Sequence, residues 1–143
     1  MMVVPTNYET WIICGGRKFS DFDMFNNSMT DIIQLKGCPE VVVHGAATGA
    51  DSMANGWAQR MAVRVRREPA LWDDIDVPGA VVKYRANGTP YNAAAGGQRN
   101  QKMLDDYKIN MVVAFPGGPG TADMVARARK AGISVAEIKP KVV

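Results

Sequence analysis

Three glycine-rich stretches hold the residues whose types and spacing could do chemistry. CGGRKFSD (14–21), HGAATGAD (44–51) and FPGGPGTAD (115–123) each follow a compact apolar run and precede a segment of helical periodicity. Glycine lets a backbone turn sharply and lets a ligand approach the N–H groups. The helix that follows offers unpaired N–H donors and the positive end of its dipole, so phosphate is the natural guest. On this reading the ligand-binding residues are Gly15, Gly16 and Arg17, then His44, Gly45, Gly49 and Asp51, then Pro116, Gly117, Gly118, Gly120 and Thr121. Arg17 adds a cation that can clamp an anion in bidentate fashion. One such loop is weak evidence, because glycine is common in strand-to-helix turns. Three at the same end of one sheet are much stronger. None is followed by the Lys-Ser/Thr of a nucleotide P-loop, and none has dinucleotide GxGxxG spacing.

The elements that position these loops follow from apolar periodicity. WIICGG (11–16), EVVVHG (40–45), INMVVAF (109–115) and SVAEIKP (134–140) read as strands, and alternating VRVRREPA (63–70) as an edge strand. Residues 20–37 read as a helix with Phe22, Phe25, Met29, Ile32 and Ile33 on one face, Ser20 as cap and Gly37 at its end. Residues 47–63 read as a second helix, capped by Thr48 with Asp51 three residues on, and striped by Ala50, Met53, Trp57 and Met61. Further helices are expected over 93–108, where Met103, Leu104 and Tyr107 face inward, and over 120–133, ended by Gly132. Residues 71–92, with two prolines and an Asn-Gly turn, read as a long loop insertion with room for a short hairpin. Alternating strands and helices predict an α/β fold. It is a Rossmann-like three-layer sandwich with a mostly parallel sheet of about five strands and helices on both faces. Ligands then sit beyond the carboxyl ends of the strands, where strand order reverses.

At 143 residues, 47% hydrophobic and 22% charged, the chain suits one ordinary domain over 1–143, with 1–10 as a loose lead-in. No run is long enough to span a membrane, and the start lacks the pattern of a signal peptide. Two cysteines without a Cys/His cluster, and His44 as the single histidine, argue against a metal site and for reduced thiols in a cytoplasmic protein. The net charge of +3 suits a phosphate-bearing ligand without requiring one. VRVRRE (63–68) is basic, but no aromatics interleave with its arginines, so a solvated strand is favoured over a nucleic-acid edge.

GGRKFSD, HGAATGAD, GGQRN and FPGGPGT, in that order and spacing, resemble the YspA-like, cpYpsA-related family of the SLOG superfamily, from about Trp11 to Val135. That superfamily includes the LOG (lysine-decarboxylase-like) phosphoribohydrolases, the DNA-processing protein DprA and sensors of nucleotide-derived signals. The resemblance implies a Rossmann-like fold, a nucleotide or nucleotide-like ligand such as an ADP-ribose-like molecule, and a phage or prophage source. LOG enzymes carry PGGxGTxxE, whose Glu helps break an N-glycosidic bond with an upstream Arg. Here PGGPGT is Pro116 to Thr121, so Met124 takes the Glu position and Asp123 lies about 100° round the helix. Arg99 matches the upstream arginine, and its neighbour Asn100 is placed to bond a loop or the ligand. The implied function is therefore ligand binding, as a sensor or sequestering protein without a cofactor. The alternatives are a phosphoribohydrolase using Asp51 and Arg99 as catalytic residues, and a DprA-like nucleic-acid binder. Asp51 reads equally as a helix cap or a ribose ligand. The ring of His44 bonds backbone or meets the ligand. Trp72 and Tyr91 pack or stack on a base. Analogy with family relatives adds a homodimer, with Met-rich helix faces as its seam.

Overall fold

The computed structural model describes residues 4–140. The element order is β1 (Thr10–Cys14), α1 (Phe22–Lys36), β2 (Val41–His44), α2 (Ala50–Arg60), β3 (Arg64–Arg67), β4 (Val82–Tyr84), β5 (Pro90–Asn92), α3 (Ala95–Asp106), β6 (Met111–Ala114), α4 (Pro119–Lys130) and β7 (Ser134–Glu137). Five strands form one sheet in the order β3-β2-β1-β6-β7, and every pairing in it is parallel. The chain builds outward from β1 to β3, then crosses back to β6 and β7, so strand order reverses between β1 and β6.

Alternation along each strand sends neighbouring side chains to opposite faces. Trp11, Ile13, Val42 and Val113 join a core with α1 and α2. Ile12, Val43 and Val112 join a second core with Met103 of α3 and Met124 of α4. Apolar side chains on both faces explain why β1 and β6 read as unbroken apolar runs. The fold is the α/β, Rossmann-like sandwich that the sequence predicts.

The boundaries differ for identifiable reasons. Asp21 rather than Ser20 caps α1, accepting from the Met24 N–H at 2.9 Å. Gly37 (φ 85°) closes that helix, its N–H donating to Ile33 O. Phe22 is half exposed and lies against Arg60, so the buried face of α1 is Phe25, Met29 and Ile33. Thr48 does not cap α2. Its hydroxyl donates to Arg17 O, and Gly49 occupies the cap position. Met61 falls beyond α2 and is exposed, whereas Ala54 and Ala58 complete the buried stripe. Met29, Met103 and Met124 are buried in the two cores and are not available for a dimer seam. The insertion 71–92 contains the antiparallel hairpin β4-β5, held apart from the main sheet. Residues 1–3 of the lead-in lie outside the described residues. The rest is pinned to the turn after α1, with Asn7 N–H donating to Cys38 O and Cys38 N–H to Pro5 O, both at 2.9 Å.

Candidate ligand site at the carboxyl ends of the strands

The three glycine-rich loops meet, and the contact explains most of their glycines. Gly16 N–H donates to Pro116 O at 2.9 Å, and Ala50 N–H donates to Gly16 O at 3.2 Å. The loop after β1 is therefore wedged between the other two. A Cβ on Gly15 would lie 2.6 Å from Ala50 Cβ, and one on Gly49 would lie 2.2 Å from Gly16 O. A Cβ on Gly16 would press on Pro116 O and Gly117, and one on Gly117 would come 2.7 Å from Gly16 N. These four residues serve loop-on-loop packing. Gly118 and Gly120 differ: both are exposed, and a Cβ there would meet nothing within 4 Å. Among the described residues the N–H groups of Gly120 and Thr121, in the first turn of α4, meet no acceptor. That turn is open to an anion, with Pro119 setting the start of the helix.

Asp51 and Arg99 converge on Gly45. A Cβ there would lie 2.1 Å from Arg99 Nη1 and 3.0 Å from Asp51 Oδ2. Arg99 Nη1 donates to Gly45 O at 2.8 Å and to Glu68 O at 3.3 Å, and its Nε donates to Asn100 Oδ1 at 3.0 Å. Asp51 Oδ2 accepts from Ala47 N–H at 3.1 Å. Burial holds the Asp51 carboxyl above its ordinary value, against the Ala47 bond and the nearby His44 and Arg99. Burial likewise lowers the Arg99 guanidinium; Asp51 opposes this and the charge of Arg17 adds to it. Arg17 lies 5.3 Å over the ring of Trp72, which also packs where a Gly96 Cβ would sit.

His44 and Asn100 brace the site. His44 Nδ1 accepts from Ala46 N–H at 3.0 Å, so Nε2 carries the proton and donates to Asn55 Oδ1 at 3.0 Å. Both ring nitrogens are engaged, and the ring is buried. Asn100 Nδ2 donates to Gly120 O at 3.2 Å and to Asp123 Oδ2 at 3.0 Å, which ties Arg99 to the start of α4. Asp123 also accepts from Arg127 Nε at 2.8 Å. Burial raises its carboxyl, but the Arg127 and Asn100 bonds together outweigh this and hold it below its ordinary value. Burial, with Asp51 adding to it, pushes the nearby Cys14 thiol up to about 12, too high for a nucleophile.

Comparison with known proteins adds two findings. A model of the YspA, cpYpsA-related SLOG family matches residues 12–74. The Gene 61 protein of Mycobacterium phage D29 is 32% identical over 126 residues, which span 87% of this chain and 91% of the phage protein. The chain belongs to the YspA, cpYpsA-related SLOG family.

The SLOG match runs from within β1 to beyond β3 with the first two glycine loops, and so includes Arg17, Asp51 and Trp72. Met124, at the glutamate position of the LOG motif, is buried between α4 and the sheet, and Asp123 is consumed by Asn100 and Arg127. Five of the predicted residues border two cavities, whereas Arg17, His44, Asp51 and Asn100 line neither. Pro116, Gly117, Gly118 and Thr121 line one of about 190 Å³, which Lys139 after β7 also lines. Arg99 lines another, of about 440 Å³, under the insertion. Sequence reasoning missed Glu68. Its carbonyl holds Arg99, and its carboxylate accepts from Tyr107 Oη at 2.7 Å and Lys102 Nζ at 3.3 Å. Its place just after a parallel strand was the available signal. Gln98 and Asn92, bonded to each other at 2.8 Å, were missed as well. Among the described residues no helix is long and apolar enough to cross a membrane, and no group of three or more His, Cys, Asp or Glu could hold a metal ion.

Proposed function

We propose that this SLOG protein binds a nucleotide or nucleotide-derived small ligand, as a sensor or sequestering protein. Phosphate lies on the open first turn of α4, at Gly118, Gly120 and Thr121, and the ribose turns toward Asp51. One observation carries the reading: the N–H groups of Gly120 and Thr121, in the exposed first turn of α4, meet no acceptor among the described residues, and Asn100 joins that turn to Arg99. A phosphate there takes both N–H bonds at the positive end of the helix dipole, and Arg17 and Arg99 supply counter-charge. Family membership and the phage relative support a nucleotide-related ligand and a phage source. Analogy with relatives supports a homodimer.

The test is calorimetric titration and thermal shift with nucleoside mono-, di- and triphosphates and ADP-ribose. A ligand at 100 times its Kd raises stability by about 2.7 kcal/mol. Gly118→Asp and Gly120→Asp place a carboxylate where there is space for it. They are expected to keep the melting temperature of the free protein and abolish the ligand-induced shift. A wild-type protein that binds none of these compounds would sink the proposal.

A second reading, an N-glycosidic phosphoribohydrolase, is favoured by one feature: the buried Asp51 carboxyl, held above its ordinary value beside Arg99. It requires release of free base from a bound nucleoside monophosphate on chromatography. It also requires loss of that release, with binding kept, in Asp51→Asn. The burial of Met124 favours binding without cleavage.

A further inference from the structure

The cavity of about 440 Å³ lies between α3 and the insertion 71–92, and none of the three glycine-rich loops lines it. We propose that it holds the nucleobase of the ligand, and that the insertion is the wall that selects the base. The proposal rests on the nucleotide reading above and extends it.

Position comes first. Glu68 and Pro69, which line the cavity, directly follow β3, so it opens at the same carboxyl-end edge as the glycine-rich loops. Its volume falls within the roughly 300–1,000 Å³ typical of small-molecule pockets. Its walls are largely apolar, built from Pro69, Leu71, Val77, Pro78 and Ala95. Such surfaces suit a flat ring better than a hydrated, charged group.

Charge and hydrogen bonding narrow the guest. Two carboxylates, Glu68 and Asp74, and two cations, Arg99 and Lys102, line the cavity, and their formal charges cancel. Glu68 is already engaged by Tyr107 and Lys102. With two cations against two carboxylates the cavity favours neither an anion nor a cation, and a neutral guest with polar edges suits it. Donors remain free at the polar edge. Among the described residues Arg99 Nη2 has no partner, its other nitrogens being spent on Gly45, Glu68 and Asn100. Gln98 gives one amide hydrogen to Pro78 O and Asn92 gives one to Gln98 Oε1, leaving each with one more. Nucleobases present ring nitrogens and carbonyls as acceptors along such an edge.

Continuity with the phosphate seat is structural. Arg99 lines the cavity and also bonds Gly45 O of the second glycine loop. Its neighbour Asn100 bonds Gly120 O in the first turn of α4. The base, the ribose at Asp51 and the phosphate at α4 thus flank a single arginine.

Leu71→Trp and Val77→Trp test this by filling the cavity from its rim. Leu71 is 63% exposed and Val77 half-buried, so neither change removes a core contact. AMP, GMP, CMP, UMP and ribose 5-phosphate are titrated into the wild type and both variants. The wild type is expected to bind at least one mononucleotide more tightly than ribose 5-phosphate. The variants should lose about tenfold or more of that affinity, with ribose 5-phosphate unchanged. Equal mononucleotide affinity in wild type and variants overturns the base pocket and leaves the nucleotide reading intact. The same holds if no mononucleotide outbinds ribose 5-phosphate. A wild type that binds neither class overturns both readings.

Discussion

At the residue scale, two aspartates in the same region have opposite electrostatic characters. The Asp51 carboxyl is raised mainly by burial, so its ionised form destabilises the fold. The folded state holds its proton to higher pH than the unfolded chain does. Its penalty is absent below the ordinary value of 3.8 and grows as pH rises through the raised value. Asp123 is held low by Arg127 and Asn100, so its contribution is present at neutral pH and lost as pH falls through the depressed value. Asp51→Asn should therefore leave the melting temperature at pH 7 unchanged or raised, and Asp123→Asn should lower it. Melting curves from pH 3 to pH 8 check both signs. If Asp51→Asn is strongly destabilising at pH 7, the carboxylate is an essential acceptor for the loop at Ala47. Asp123 also shows how far a sequence reads at this scale. Its rotation away from the LOG glutamate position follows from helical geometry alone. Its engagement by Asn100, 23 positions earlier, depends on how α3 packs on α4.

At the element scale, glycine and alanine do comparable jobs at two helix ends. After α4, Gly132 (φ 76°) precedes the Ile133 N–H bond to Ala128 O at 2.9 Å. After α2, Ala62 (φ 55°) precedes the Val63 N–H bond to Ala58 O at 2.8 Å. The two termini share the αL geometry, but only one has the residue that suits it. Ala62→Gly should stabilise the protein by about 1 kcal/mol in chemical denaturation, with ligand binding unaffected. Gly49→Ala should cost on the order of 3 kcal/mol, since φ is 73° and the new methyl would strike Gly16 O. The same contrast explains what was legible. Gly132 marked the stop of α4, whereas no glycine marked that of α2; both predicted ranges overran by three residues, to 133 and to 63. Likewise, the glycines of 14–21, 44–51 and 115–123 marked the right loops. Their division into packing glycines and open ones required knowing that the loops touch.

At the scale of the whole molecule, the parallel sheet was legible because strands and helices alternate outside the insertion, and apolar runs buried on both faces stand out. The hairpin β4-β5 was less so, because its strands are three residues each and largely exposed. This difference should appear in amide hydrogen exchange. Ile12, Ile13, Val112 and Val113, buried in the adjoining strands β1 and β6, are expected to exchange slowest, at rates set by global unfolding. Amides of β4 and β5 should exchange much faster and slow down when a mononucleotide binds under the insertion. Uniform protection across both sheets would contradict that division.

The pairing of Ile12 with Val112 joins positions 100 apart in the chain, and β1 cannot complete its hydrogen bonds until β6 exists. During synthesis the first half has β2 and β3 to build on, yet it presents one flank of its central strand bare while about forty more residues are made at about 5–20 residues per second. That flank is an unpaired strand edge, a template for pairing with another chain. Closing it also brings Pro116 onto Gly16, so the assembly of the candidate site and the end of the chain's vulnerability to misassociation are the same event.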